Sequence, residues 1–118
     1  MDIKKLNTIP TQKVVAGEKT RFQVLISTDE APNFAMRRFI IDPGGSMPAH
    51  TNTVEHEQFI LNGKADVCIG NNVFKVEKND IVLIEAGKIH SYKNTGCEPF
   101  EFLCMVPNQE DIINLTSE

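Results

Sequence analysis

Apolar residues along this chain come in short runs separated by turn-forming residues. Residues 13–16 make a brief run before Gly17-Glu18. Residues 20–26 alternate polar with apolar and then turn fully apolar, which predicts a strand. Asp29-Glu30-Ala31-Pro32-Asn33 reads as a loop, residues 34–41 as the next strand, and Asp42-Pro43-Gly44-Gly45 as its end. A further apolar run stops at Asn62-Gly63, a pair suited to a two-residue hairpin because both residues tolerate positive φ. Residues 64–69 return from that turn, 73–76 follow Gly70-Asn71-Asn72, and 81–84 follow Lys78-Asn79. Residues 89–93 and 100–106 complete the set, and Pro107 ends the last strand. Residues 111–115 predict one helical turn or nothing ordered. About ten short strands at roughly ten-residue spacing, with no helical period of useful length, predict an all-β sandwich or barrel. Residues 1–12 form an irregular N-terminal segment, 13–108 the barrel and 109–118 a C-terminal tail.

All three histidines, His50, His56 and His90, fall in two turn-bounded segments of similar layout. Strand residues separated by an even number share a face, so His50 projects with Asn52, and His56 with Gln58 and Ile60. A neutral imidazole is the commonest protein ligand for first-row transition metals. One strand offers ligands only at i and i+2, so a metal site needs imidazoles converging from different strands, as a barrel allows.

The segment from Gly44 through His50, Asn52 and His56 to Gly63 resembles cupin motif 1. That motif runs glycine, five residues, His-x-His, three or four residues, glutamate, six residues, glycine. Asn52 stands at its second histidine and His56 at its glutamate. The segment Asn79, Glu85, Gly87, His90, Asn94 resembles motif 2, with Asn79 at its first glycine and Glu85 at its proline. The flanking stretches 33–39 and 101–107 resemble small single-domain cupins whose glutamate position is also a histidine, the all-histidine manganese-type cupins. The resemblance spans roughly residues 20–108. It implies a double-stranded β-helix, the jelly-roll cupin barrel.

It also implies one divalent transition metal per chain (Mn, Fe, Ni, Zn or Cu) bound by His50, His56 and His90. Motif 1 allows Glu57 in place of His56, but the closing gap to Gly63 and the strand parity both fit His56. At Asn52 three readings stay open. The site is three-histidine with an open position, or Asn52 is a weak fourth ligand acting directly or through water, or the metal function is lost and the barrel remains. An open three-imidazole site lets an ion act as a Lewis acid or bind dioxygen. The expected function is therefore a metal-dependent enzyme, a dioxygenase (an oxidoreductase) or a Lewis-acid isomerase or lyase, acting on a small oxygen-bearing organic molecule. The alternative is a non-catalytic module that binds or senses a small ligand or metal. By parity Gln58 and Tyr92 face the metal side as candidate catalytic groups. Phe102 and Cys104 share a face that lines the cavity in look-alike cupins, and Met36, Arg38 and Ile60 are further pocket candidates. Arg37 and Arg38 point opposite ways, and the sequence leaves open which one is inside.

Composition narrows the partners. The 118 residues carry 12 Lys+Arg against 16 Asp+Glu, a net charge of −4, without a basic cluster, which argues against nucleic acid. No apolar stretch approaches the roughly 18 residues of a membrane span, and the opening residues lead into no signal-like core, so a cytoplasmic protein is expected. Cys68, Cys97 and Cys104 include no C-x-x-C pair and are expected to be reduced and structural. Residues 13–26 hold apolar side chains on both faces, which predicts a homodimer. The chain shows no phosphate loop, no Ser or Cys nucleophile arrangement and no paired carboxylates in a credible site.

Overall fold

The computed structural model describes residues 2–116; Met1, Ser117 and Glu118, at the ends of the two expected terminal segments, lie outside the described residues. After one 3-10 turn at Leu6–Thr8, ten strands follow among the described residues. They are β1 Gln12–Lys13, β2 Glu18–Ile26, β3 Phe34–Asn52, β4 His56–Asn62, β5 Lys64–Ile69, β6 Asn72–Glu77, β7 Ile81–Ile84, β8 His90–Asn94, β9 Phe100–Pro107 and β10 Ile113–Leu115. They curl into one sheet of order β6-β5-β8-β3-β9-β4-β7, with β2 and β10 also on β3, and β1 on β2. This is the expected all-β architecture, a double-stranded β-helix or jelly-roll barrel. No helix among the described residues is long and apolar enough to cross a membrane.

The longest strand departs from the sequence reading. Asp42-Pro43-Gly44-Gly45 does not end a strand; β3 runs through it for 19 residues. Gly44, at φ +83°, bends the chain there. A strand bent in this way can serve two layers. Up to Ile41 it pairs with β2 and β9; from Ser46 on, where Glu18 of β2 makes its last pair, it runs along β8 and β10. The bend therefore carries His50 and Asn52 from one layer to the mouth of the other.

Asn62-Gly63 is not a hairpin either. β4 pairs with β7 and β9, whereas β5 pairs with β6 and β8, so the chain crosses between layers at this point. Asn62 Nδ2 donates to the Pro99 carbonyl at 2.9 Å. Gly63, at φ +84°, lies so close to Pro99 and Phe100 that a Cβ would meet the Phe100 Cα at 2.9 Å. Glycine is required there for conformation and for space. The two-residue hairpin lies instead at Gly70-Asn71, between paired Ile69 and Asn72. Residues 113–115, read as a helical turn or unordered, are a strand laid on Asn52, Thr51 and His50.

Strand alternation sets the core. Along β9, Phe100, Phe102, Cys104 and Val106 are buried, while the residues between them are half-buried. Ile41, Ile60, Val67 and Ile84 pack with them. Four rings stack in a row: Phe22 on Phe39 (centroids 5.6 Å apart), Phe39 on Phe102 (5.3 Å) and Phe102 on Tyr92 (5.2 Å). These spacings are in the favourable range for offset aromatic pairs. The row ends at Tyr92, directly beneath the histidines.

Candidate functional site

Above this floor lies a cavity of about 120 Å³. His50, Asn52, His56, Gln58, His90, Tyr92, Phe102 and Cys104 all line it. Three further candidates do not. Arg38 lies on the opposite face of β3, where it meets Gln23 Oε1 at 2.6 Å and pairs with Glu101. Met36 shares that outward side and lines a separate depression with Leu6 and Ile9. Ile60 is fully buried, but it sits below the cavity floor, in the solid core. Arg37 is the arginine that faces in. It is the cross-strand partner of Cys104, which is buried, and residues paired across neighbouring strands share a face. Its guanidinium lies over the Phe39 ring, 5.1 Å from the centroid, and donates to Cys104 Sγ at 3.5 Å.

His50 on β3 and His90 on β8 are direct cross-strand partners, with ring centroids 4.2 Å apart. Each is fixed in the same way. His50 Nδ1 contacts the Pro48 carbonyl at 2.8 Å, and His90 Nδ1 contacts the Lys88 carbonyl at 2.9 Å. A carbonyl accepts only, so each Nδ1 carries a proton, and in the neutral ring it is Nε2 that keeps the lone pair. This is the arrangement in which backbone carbonyls orient metal-binding imidazoles. Burial pushes the His90 pKa down to about 4, only partly opposed by the bond to the Lys88 carbonyl, so the ring is neutral at physiological pH.

His56, 6.4 Å from His90 between ring centroids, has both nitrogens engaged. Nε2 contacts Asp111 Oδ2 at 3.0 Å, and Nδ1 lies 3.4 Å from Cys104 Sγ. Its pKa is lowered, by burial first, against the pull of Asp111. A neutral ring that donates Nε2–H to the carboxylate and accepts the thiol proton at Nδ1 satisfies both contacts. Burial raises the Cys104 pKa and keeps the thiol protonated. All three cysteines are free, with Cys104 buried and Cys97 exposed.

Asp111 was not singled out by the sequence, which placed it in the tail. Its Oδ2 also accepts from Asn52 Nδ2 at 3.2 Å, and its Oδ1 accepts from the Thr53 backbone N–H at 3.1 Å. The one hint was the apolar triplet of residues 112, 113 and 115, whose β-branched residues suit a strand, although all three side chains stay exposed. Glu57, the alternative register, is exposed.

On the floor, Gln58 Nε2 donates to Tyr92 Oη at 2.7 Å. Burial holds the Tyr92 phenol well above its ordinary pKa, so it stays protonated and keeps its own hydrogen to donate. Two buried amide oxygens in the wall, Asn52 Oδ1 and Gln58 Oε1, have no partner among the described residues, nor does Arg37 Nε. Buried polar atoms are normally paired, so these mark where a ligand or water belongs.

No three His, Cys, Asp or Glu side chains among the described residues already stand close enough together to form a metal cluster. The donor chemistry fits a first-row cation all the same. Two imidazoles anchored through Nδ1 turn Nε2 outward, an orphaned amide oxygen lies on the same strand face as one of them, and a third imidazole and a carboxylate adjoin them.

The comparisons with known proteins agree with this fold. A mannose-1-phosphate guanylyltransferase from Salmonella muenchen is 28% identical over 101 residues, 80% of this chain. A 1-methylthio-D-xylulose 5-phosphate methylsulfurylase from Rhodospirillum rubrum is 30% identical over 83 residues, 70% of this chain. The chain spans 20% of the first protein and 53% of the second. Among solved structures, the polyketide cyclase RemF from Streptomyces resistomycificus superposes with a TM-score of 0.91 at 21% identity, covering 100% of this chain and 87% of that one. Residues 37–106, from the inward arginine to the last buried residue of β9, match the cupin domain family, and the chain belongs to that family.

Proposed function

We propose that this chain is a metal-dependent cupin enzyme acting on a small oxygen-bearing organic molecule, as a Lewis-acid isomerase or lyase or as a dioxygenase. The observation that carries this reading is the matched anchoring of His50 and His90, each with Nδ1 on a carbonyl two residues back and Nε2 left for a ligand. His50, His56 and His90 would hold one divalent ion, with Asn52 as a weak ligand or through water. The bound ion supplies Lewis acidity toward a substrate oxygen. The chain's own groups would do the rest. Arg37 would meet an anionic or carbonyl oxygen through its unpaired Nε–H. Tyr92 would donate its phenolic hydrogen, held in place by Gln58. Asn52 Oδ1 and Gln58 Oε1 would accept from substrate hydroxyl or amino groups. The aromatic floor and Met47 would shield the reacting atoms from water. A polyketide cyclase and a methylsulfurylase are among the similar proteins, which supports a catalytic role.

A second reading, a non-catalytic ligand- or metal-binding module, draws on the largely apolar wall of so small a cavity. Elemental analysis separates these readings from a barrel without metal. Protein purified without added metal, then chelated and reloaded, is expected to take up about one ion per chain, as a single three-imidazole site requires. His90→Ala is expected to hold well below that while keeping a β-rich circular dichroism spectrum. Full metal content in His90→Ala would refute the assignment. The same reading takes the chain as a homodimer that meets through the β1–β2 region.

A further inference from the structure

Asp111 is a carboxylate in an unusual position. It is half-buried, and its Oδ2 is held by two donors, Asn52 Nδ2 at 3.2 Å and His56 Nε2 at 3.0 Å. Its Oδ1 takes the Thr53 N–H. No Lys or Arg pairs with it among the described residues; its one ionic contact is His56. Removing a carboxylate from water is costly unless a positive charge meets it. Yet the chain takes trouble to hold it there. β10 pairs with Asn52, Thr51 and His50, the Ile112 N–H donates to Thr53 Oγ1 at 2.8 Å, and the Thr116 N–H donates to the Ala49 carbonyl at 3.0 Å. The strap is bound along the same stretch of β3 that carries His50.

We infer that Asp111 is the anionic ligand of the metal site, delivered by the C-terminal strap and steered by Asn52. This rests on the metal reading above. Asn52 on β3 would then act as the hook for a carboxylate, its amide N–H setting Oδ2 beside the His56 imidazole. A divalent ion would supply the charge that Asp111 lacks; for His56 Nε2 to bind it, the ring proton would move to Nδ1, where Cys104 Sγ can accept it. The site would carry a net charge lower by one than imidazoles alone provide, which favours harder, oxygen-tolerant cations such as Mn²⁺ or Fe²⁺ over Cu⁺.

Cobalt(II) titration of the metal-free chain tests this, because the visible d–d bands of Co²⁺ report its ligands. Loss of an outer-shell partner typically costs about 10–100-fold in metal affinity, and loss of a charged ligand is expected to reach about 100-fold or more. Asp111→Asn is therefore expected to raise the Co²⁺ Kd by that amount and to change the spectrum of the saturated protein. Wild-type affinity in Asp111→Asn would overturn the inference while leaving the metal reading intact. Weakened binding with an unchanged saturated spectrum would also overturn it, reducing Asp111 to a residue that positions His56. Absence of Co²⁺ binding by the unmodified chain would overturn both. If Asp111→Asn fails to fold, Asp111→Glu carries the test. A ligand moved by one methylene must shift the bands, and an unshifted spectrum rules it out.

Discussion

His90 should make the metal-free protein lose stability as pH falls toward 5. Its ring is 2% exposed, and burial lowers its pKa from the ordinary 6.5 to about 4. The folded ring therefore stays neutral in a range where the unfolded chain takes up a proton. With a folded pKa below the unfolded one, the stability is fully present above pH 6.5 and is lost as pH falls toward 4. At about 1.4 kcal/mol per pH unit, the loss between pH 7 and pH 5 is about 2 kcal/mol, and it approaches about 3 kcal/mol near pH 4. His56 shifts in the same direction and adds to the slope. The assay is urea unfolding with a chelator present, followed by circular dichroism because the chain has no tryptophan. Each curve is taken at pH 7 and pH 5, for the unmodified protein and for His90→Gln. The variant starts lower through lost packing, but it is expected to lose about 2 kcal/mol less over the interval. Glu55, raised by its neighbour Glu57, has the opposite sign but is common to both proteins, so it cancels in the difference. Equal losses in the two proteins would refute the reasoning, since His90 would then not be held neutral by its surroundings.

Gly63→Ala is expected to lower stability by about 2 kcal/mol or more, from a left-handed backbone plus collision with the Phe100 backbone. Gly87→Ala, at φ +79° with nothing within 4 Å of a Cβ, should cost about 1 kcal/mol through conformation alone. Equal urea midpoints in the two variants would mean that the layer crossing at Gly63 is not tightly packed. Light scattering at micromolar concentration is expected to give the mass of two chains, because residues 13–26 carry apolar side chains on both faces and leave Val15 and Ile26 exposed. The mass of one chain would refute the dimer.

The parity of single strands was legible. Gln58 with His56, Tyr92 with His90 and Cys104 with Phe102 were each placed on one face, and each pair lines the cavity. What a strand's own sequence does not contain is its register against a neighbour. Arg37 and Arg38 illustrate this. Their alternation follows from the pleat, but which of them is inside depends on Arg37 lying opposite Cys104 and Arg38 opposite Leu103. The outer face then finds cover from a segment that looked irregular. Gln23 Nε2 donates to the carbonyls of Leu6 and Ile9, and Arg38 bonds Gln23. Turn chemistry misled for a related reason. Pro43-Gly44-Gly45 and Asn62-Gly63 permit a reversal, but they equally permit a bend or a crossing, and tertiary pairing decides among these.

Asn52 shows how far a local reading of the motif reaches. Taken alone, an amide where an imidazole is expected is a loss, because a neutral oxygen is a weak donor to a transition metal. In the folded chain the same amide turns its N–H toward a carboxylate 59 residues away, and that carboxylate touches the histidine standing at the motif's glutamate position. Both departures from the motif thus meet at one atom, Asp111 Oδ2. At position 52 the amide donates through Nδ2 to Asp111 while Oδ1 remains open toward the cavity. A histidine at position 56 in turn can donate to a carboxylate, which the motif's glutamate cannot do when ionised. The two substitutions and the strap that carries Asp111 therefore form one physical unit. None of the three makes sense as an isolated change, which is why the tail has to be counted as part of the site.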